Sequence, residues 1–358
     1  SGVLIGALQG RERFLATNVV SLTSALLFQT LPLAVVWFSG PNISRILAAA
    51  LTARCVALVM LAYGCHVEIT RGHRTRIDHS ELPTLLRYGG WVTLASLVGP
   101  LIAVFDRFAI GAVLGAFAVA VYATPMQFAK QIQLLPSALT NALFPRIAVA
   151  SDAERSQYAQ DAIYHIMITV SLPVLGLLFI VGPALWLWIS KDIAVPAAPV
   201  ARILLVGFWF NALALVPYTA LQASGRPGLV TKILIAETIP YFVSIYFGMK
   251  YFGVTGAAGA FLLRSALDYA LLSWLSDGRI FGFKVVAFNF VCLGAGIYAA
   301  SNFTMHDWQW WAWSISLAAV MASGSWGLIP RGTRDQVRSL LQFPSLTRLM
   351  SGSKPTAG

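Results

Sequence analysis

Charge is what this chain has least of. Only 11% of its 358 residues are Asp, Glu, Lys or Arg, against roughly 25% in an ordinary soluble domain. Acids are the scarcer sign, 14 of them against 25 Lys and Arg, for a net charge of +11. On a soluble protein that surplus would point to nucleic acid. Here 58% of residues are hydrophobic and the mean hydropathy is +0.72, so basic loops held at an anionic membrane face explain it better. Cysteine is nearly absent. Cys55, Cys65 and Cys292 lie within or at the edge of apolar runs and form no close pair, which excludes a disulfide framework or a zinc site. The five histidines are scattered, and no His/Cys/Asp cluster has ligand spacing. No GxxxxGK[ST], GxSxG or HExxH occurs, which removes P-loop ATP hydrolysis, serine-hydrolase and zincin chemistry. No cofactor and no metal are expected. No charged stretch precedes the apolar Ser1–Leu8, so it is a poor signal peptide. It reads as the end of a helix, and the chain is expected to be an N-terminally truncated piece of a longer protein.

What is abundant is long apolar sequence. A helix needs about 20 mostly apolar residues to cross about 30 Å of hydrocarbon. Ten segments qualify, at about 18–38, 46–65, 88–105, 117–143, 164–189, 200–222, 230–250, 256–276, 284–303 and 309–328. The fold class is therefore an all-α polytopic membrane protein with about ten full spans.

Alternate loops divide the cations unequally. One set, with the C-terminal tail, holds Arg11, Arg13, Arg71, Arg74, Arg76, Arg87, Arg146, Arg155, Arg226, Lys232, Arg279, Lys284, Arg331, Arg334, Arg338, Arg348 and Lys354. The opposite set holds Arg45, Arg107, Lys191 and Lys250. Seventeen against four is a strong positive-inside bias. It places both ends of the chain in the cytoplasm, as an even number of spans requires. Trp186, Trp188, Trp308, Trp310, Trp311 and Trp313 gather at the expected outer boundary, where amphipathic rings prefer to sit.

The informative residues are charges inside spans, each costing about 2.5–3.5 kcal/mol at a helix centre. Arg54 lies too deep to snorkel easily and has no acid on its own helix; it is a cavity cation for an anionic headgroup or half of a structural pair with a distant acid. Lys130 belongs to a stripe with Gln127, Ser137 and Asn141, whose spacing keeps them near one helix face. That stripe lines an aqueous cavity or forms a helix–helix hydrogen-bond seam. Arg264 and Asp268 are i,i+4 neighbours, either a neutralising pair or a switchable one near substrate or a coupling ion. Glu237 precedes Pro240 and is a coupling carboxylate or a partner for an arginine. Asp106 and Arg107 stand at the expected outer end of the third span, at an outer gate. Arg202, near another outer end, is expected to snorkel.

An internal repeat is visible. Ala7-Leu8-Gln9 and Ala220-Leu221-Gln222 each close a helix, are followed by a turn with Gly and Arg, and then by two spans. The second span of each pair carries an arginine, Arg54 or Arg264. Six spans separate the copies, so they share one orientation, the plan of a parallel repeat common in transporters.

The stretch Asp106-Arg107-Phe108, Ile110-Gly111, Leu114-Gly115, Tyr122 and Pro125, continued by Leu135-Pro136, Ala138-Leu139 and Leu143-Phe144-Pro145, resembles the polysaccharide-export branch of the MATE/MOP flippase superfamily. So does Leu8-Gln9-Gly10 with Arg13-Phe14. The O-antigen (Wzx-type) flippases are its best-known members, and the likeness covers most of about 1–280. The resemblance implies two six-helix lobes, with residues 1–65 finishing the first, 66–87 a cytoplasmic linker, 88–280 the second lobe, 281–330 two extra helices and 331–358 a basic cytoplasmic tail. It implies flipping of undecaprenyl-pyrophosphate-linked oligosaccharide across the bacterial inner membrane. Arg54, Lys130 and Arg264 are the best matches to a cationic central cavity of the kind related flippases have. Membrane lipids, a coupling ion (H+ or Na+) and a polysaccharide polymerase complex are the partners implied.

Two other functions fit less well. A cation-coupled drug or metabolite antiporter of the same superfamily would favour acidic cavity residues over basic ones. A membrane-embedded glycan ligase or polymerase would need long outer loops carrying catalytic groups, and the outer loops here are very short. The orientation is open to a direct check. Alkaline phosphatase fused after Gly40, Ser190, Gly253 or Met305 should be active, and fused after Thr75, Ala150, Gly225 or Arg279 inactive; the reverse pattern would invert the topology.

Overall fold

The computed structural model describes residues 4–5, 14–40, 42–67, 82–277, 281–330 and 334. Among these the regular structure is helix alone. The helices are α1 (Phe14–Ser39), α2 (Ile43–Cys65), α3 (Leu82–Leu114), α4 (Ala116–Lys130), α5 (Leu134–Val149), α6 (Asp152–Trp188), α7 (Lys191–Ala223), α8 (Pro227–Asp277), α9 (Phe283–Asn302) and α10 (Trp308–Leu328). Nine of the ten apolar segments each fall on one helix, α8 carrying two of them, and the segment at 117–143 is divided between α4 and α5; among the described residues seven helices are long and apolar enough to cross a membrane. This is an all-α, multi-pass membrane protein. Much of the linker, the tail beyond Arg334 and the first half of the repeat motif at residues 7–9 lie outside the described residues.

The chain forms two compact units, residues 1–83 and 84–358. In the first, α1 and α2 pack together. Ala49, Ala53, Ala57, Leu61 and Cys65 are the buried stripe of α2, one residue per turn at a spacing that keeps them on one face. Asn42 starts α2 by accepting a hydrogen bond from the Ser44 N–H at 3.0 Å.

In the second unit, α7 is the most enclosed element, packed along α6 and α8 and touched by α4 and α5. Its Trp209 is fully buried and donates Nε1–H to Ser171 Oγ on α6 at 2.9 Å. Buried indole needs such an acceptor, since no water is present to supply one. α9 and α10 pack on α6 and are tied to each other by the Asn289 amide, which donates to Ser325 Oγ at 2.9 Å. Arg202 is bonded to two neighbouring helices. Its Nε donates to the Leu178 carbonyl on α6 at 3.3 Å and its Nη1 to Ser301 Oγ on α9 at 3.0 Å, so one arginine on α7 pins two neighbours.

Two boundaries depart from the hydropathy pattern. α6 begins at Asp152, well before its apolar stretch, because Ser151 and Glu154 close a capping box. Ser151 donates its hydroxyl at 2.7 Å and its N–H at 3.0 Å to Glu154 Oε2, and these bonds hold the exposed Glu154 carboxyl below its ordinary range. The segment expected as one helix over 117–143 is broken by a 3-10 turn, Gln131–Gln133. Pro136 lacks an N–H for the Ile132 carbonyl and its ring crowds that oxygen, so the tighter turn falls where the regular bond is lost.

α8 is really two antiparallel arms, residues 227–252 and 254–277, reversed at Gly253 with φ 61° and ψ −141°. Their approach is set by Gly248 and Gly256. A Cβ on Gly256 would fall 1.9 Å from the Gly248 carbonyl oxygen, so backbone meets backbone with no room for a methyl. Small residues at such crossings are how helices associate where lipid offers no hydrophobic drive. Gly256→Ala should force the arms apart at a cost of about 1–3 kcal/mol or more. Gly259→Ala, with nothing within 4 Å of its Cβ position, should be neutral within about 0.5 kcal/mol. Thermal unfolding of the detergent-purified variants checks the contrast, and equal behaviour of the two would deny the close crossing.

Candidate functional site

Four helices of the second unit place charged or phenolic side chains at one region. Glu237 and Tyr241 share a face of the first arm of α8 as i,i+4 neighbours, and Arg264 and Asp268 do the same on the second. The tight crossing of the arms brings the two pairs face to face. Arg264 Nε lies 3.9 Å from Glu237 Oε2, and its guanidinium carbon is 5.1 Å from the centroid of the Tyr241 ring. Asp268 and Asp106 also lie within electrostatic range of Arg264. α3 is held against the first arm by the Phe105–Phe242 stack, centroids 4.0 Å apart, and by Thr231 Oγ1 donating to the Trp91 carbonyl at 3.0 Å. α4 contributes Tyr122, whose hydroxyl donates to Asp106 Oδ2 at 3.4 Å.

The region is short of hydrogen bonds for its charge. Asp106 is 1% exposed and Glu237 7% exposed. Asp106 Oδ1, both carboxylate oxygens of Glu237, the Tyr241 hydroxyl and the Nε of Arg107 and Arg264 are buried with no hydrogen-bond partner. Buried polar atoms of native proteins are mostly satisfied, so such a concentration of exceptions calls for a ligand, a proton or water. Space for one exists on both sides of Arg264. A half-open groove of about 340 Å³ runs between the arms, lined by Glu237, Tyr241, Ser244 and Arg264 among mostly apolar side chains. A second cavity of about 230 Å³ lies towards α3 and α7, lined by Asn211, Tyr218, Arg264 and Asp268. Arg264 reaches both. Among the described residues no three His, Cys, Asp or Glu converge to hold a metal ion.

Within the second unit the structure brings together Glu237, Arg264, Asp268 and Asp106, with Arg107 beside Asp106. Asp106 and Arg107 stand inside α3, which continues to Leu114, rather than at a helix end. Lys130 is the exposed last residue of α4 and lines neither cavity. The 3-10 turn that follows breaks the stripe between Lys130 and Ser137, although Gln127, Lys130 and Asn141 all remain exposed and Ser137 half-buried. Arg54 belongs to the first unit, exposed on α2, with its guanidinium 4.8 Å over the Phe28 ring of α1. Repeat-related Arg264 sits the same way over Tyr241 of the helix before it, so the two arginines share a packing mode as well as a position. The described residues give Arg54 no ion pair. Sequence reasoning missed the tyrosines: Tyr241 was legible only as a polar residue one turn after Glu237, and the Gln133 amide bond to Asn211 crosses helices that no local pattern connects.

Residues 1–151 match the family described as polysaccharide biosynthesis protein. A Shigella flexneri protein named "Putative O-antigen transporter" is 30% identical over 270 residues, which is 75% of this chain and 64% of that protein. The similarity is therefore to polysaccharide biosynthesis proteins over residues 1–151 and to a protein named as an O-antigen transporter over three quarters of the chain. The chain spans 64% of the length of the relative it matches. No solved structure matches it. In this site a membrane-embedded arginine lines two cavities and has three acids around it. Removing Arg264 alone strands Glu237 and Asp268 without a counter-charge. Arg264→Met should cost about 3 kcal/mol, and adding Glu237→Gln should recover part of the loss. Tryptophan-monitored unfolding of the single and double variants is the check; a double variant weaker than the single would mean that Glu237 does not depend on Arg264.

Proposed function

We propose that the protein is a flippase and exporter of lipid-linked oligosaccharide in the bacterial inner membrane. Its substrate is an undecaprenyl-pyrophosphate-linked unit of O-antigen, capsule or exopolysaccharide, and both ends of this chain face the cytoplasm. The observation that carries the reading is Arg54: an exposed cation in the middle of an apolar helix, stacked on Phe28 and without an ion pair among the described residues. A cation so placed is too costly to face lipid and is suited to an anionic headgroup. The similarity to a protein named as an O-antigen transporter supports the choice of substrate.

In this mechanism the glycan and pyrophosphate cross the membrane by alternating access while the polyprenyl chain stays in the bilayer. Arg54, Lys130 and Arg264 attract the pyrophosphate as point charges whose strength grows as water is excluded. Glu237 and Asp268 take up the coupling ion, H+ or Na+. Asp106 and Arg107 close the path when it faces outward. A polysaccharide polymerase complex receives the flipped unit. Residues 1–65 complete one lobe, 88–280 form the other, and 281–330 are the extra pair.

The test uses cells deleted for the gene that encodes this chain. An impermeant glycan-labelling reagent then reports the face on which the lipid-linked oligosaccharide resides. Accumulation on the cytoplasmic face, reversed by the wild-type gene and not by a joint Arg54→Gln, Lys130→Gln and Arg264→Gln variant, is the expected result. Normal delivery to the outer face in the deleted cells would overturn the flippase reading in favour of a drug or metabolite antiporter.

A further inference from the structure

Arg264 cannot serve an anion and its own carboxylates at once. Its Nε faces Glu237 at 3.9 Å, Asp268 lies on the other side in the second cavity, and Asp106 is within electrostatic range. Counting Arg107 beside Asp106, the constellation holds two cations and three carboxylates when all are ionised. An anion that reaches Arg264 through the groove meets Glu237 in the same wall, a side chain 7% exposed whose two oxygens accept no hydrogen bond. The ion pair is long and lacks a direct hydrogen bond, so nothing but charge holds the two together. Arg54, the repeat-related arginine, has no such companion among the described residues.

We infer that Glu237 is a proton-operated release for Arg264: when Glu237 takes a proton, Arg264 is freed to bind the diphosphate of the lipid substrate, so proton and substrate bind together at one constellation. The inference rests on the flippase reading above and deepens it. In the step itself, a hydronium ion entering the half-open groove transfers its proton to one Glu237 oxygen and leaves as water. The carboxylate becomes a neutral acid with an O–H to donate, and the charge around Arg264 rises by one. The guanidinium, still seated on the Tyr241 ring, then has no anionic claim from the groove side. Both the acid O–H and the guanidinium can point at the same incoming oxygen. Other titratable or charged groups facing the pair are Asp106 and Arg107 from α3, Tyr122 from α4, Tyr218 from α7, and Tyr241 and Asp268 from α8 itself. Asp268 remains to hold Arg264 in place from the far side. The acids are spread around Arg264 rather than converged on a point, an arrangement that suits a proton better than a metal ion.

The consequence is a sign. If Glu237 competed with substrate for one vacancy, protons would expel it. Here protons recruit it, and one proton taken up for each anion bound makes affinity rise about tenfold per pH unit of acidification at the limit. The diphosphate probe titrates in the opposite sense, gaining negative charge as pH rises, so its own chemistry cannot imitate the effect.

The experiment measures binding of a fluorescent polyprenyl diphosphate to the purified full-length protein in lipid nanodiscs between pH 6 and pH 8, with sodium replaced by choline in a parallel series. Wild type should bind more tightly at pH 6 in both salts. Glu237→Gln should bind at pH 8 about as tightly as wild type does at pH 6 and lose most of the pH slope, while Arg264→Gln should lose both the affinity and the slope. Asp268→Asn, which leaves Glu237 intact, should keep the slope, and it carries the test if Glu237→Gln fails to fold. The inference is overturned, with the flippase reading intact, if wild type binds but does so equally or better at pH 8, if binding requires sodium, or if Glu237→Gln binds more weakly than wild type. Absence of binding by wild type at every pH would instead overturn the flippase reading on which the inference stands.

Discussion

A guanidinium in the middle of a lipid-embedded helix has to be accompanied, because nothing in hydrocarbon will solvate it. The second unit is organised around that requirement. Arg264 stands on the second arm of α8, and the Glu237 carboxylate and Tyr241 ring of the first arm are brought to it by a backbone crossing so close that only glycine fits at Gly248 and Gly256. The reversal at Gly253 makes that crossing antiparallel, which places residues eleven to sixteen positions either side of the turn at one depth. α3 and α4 then add Asp106 and Tyr122 from the flank. Charge placement, helix approach and turn geometry are one connected feature here, and loosening any of them exposes the arginine.

Elsewhere in the unit polar side chains act as fasteners. Trp209 with Ser171, Asn289 with Ser325, and Arg202 with the Leu178 carbonyl and Ser301 each join helices that would otherwise share only apolar contact. These groups are satisfied, and Trp209, Ser171, Asn289 and Ser325 are buried. The groups around Arg264 are not satisfied. That difference separates the framework from the site. A framework is stable when every buried donor and acceptor is used, whereas a site that must exchange partners keeps some of them open.

The two arginines of the repeat illustrate how copies diverge. Both lie over an aromatic ring on the preceding helix, at 4.8 Å for Arg54 and 5.1 Å for Arg264. Among the described residues only Arg264 has carboxylates beside it, Glu237 on one helix and Asp268 on the other. An arginine on a ring alone keeps its charge available. An arginine on a ring between acids is available only when the acids yield. The two arginines are thereby suited to two electrical roles, which the proposed transport cycle uses together.

The amino-acid sequence by itself determined the membrane class, the place of most apolar helices, and which charges lie inside them, because length and hydropathy are properties of contiguous residues. It also showed Arg264 with Asp268 and Glu237 near Pro240, since those are neighbours along a helix. Where a local rule competed, hydropathy misjudged the ends: the capping box extends α6 back to Asp152, Pro136 shortens the turn at Gln131–Gln133, and α3 runs on past Asp106. Only the tertiary structure decided that Arg264 faces Glu237 rather than Asp268 alone, that Tyr122 and Tyr241 belong with Asp106, and that Lys130 lies apart from both cavities. Those are matters of which helix crosses which and at what height. Two glycines and one reversed turn set them, acting between residues that no periodicity in the chain connects.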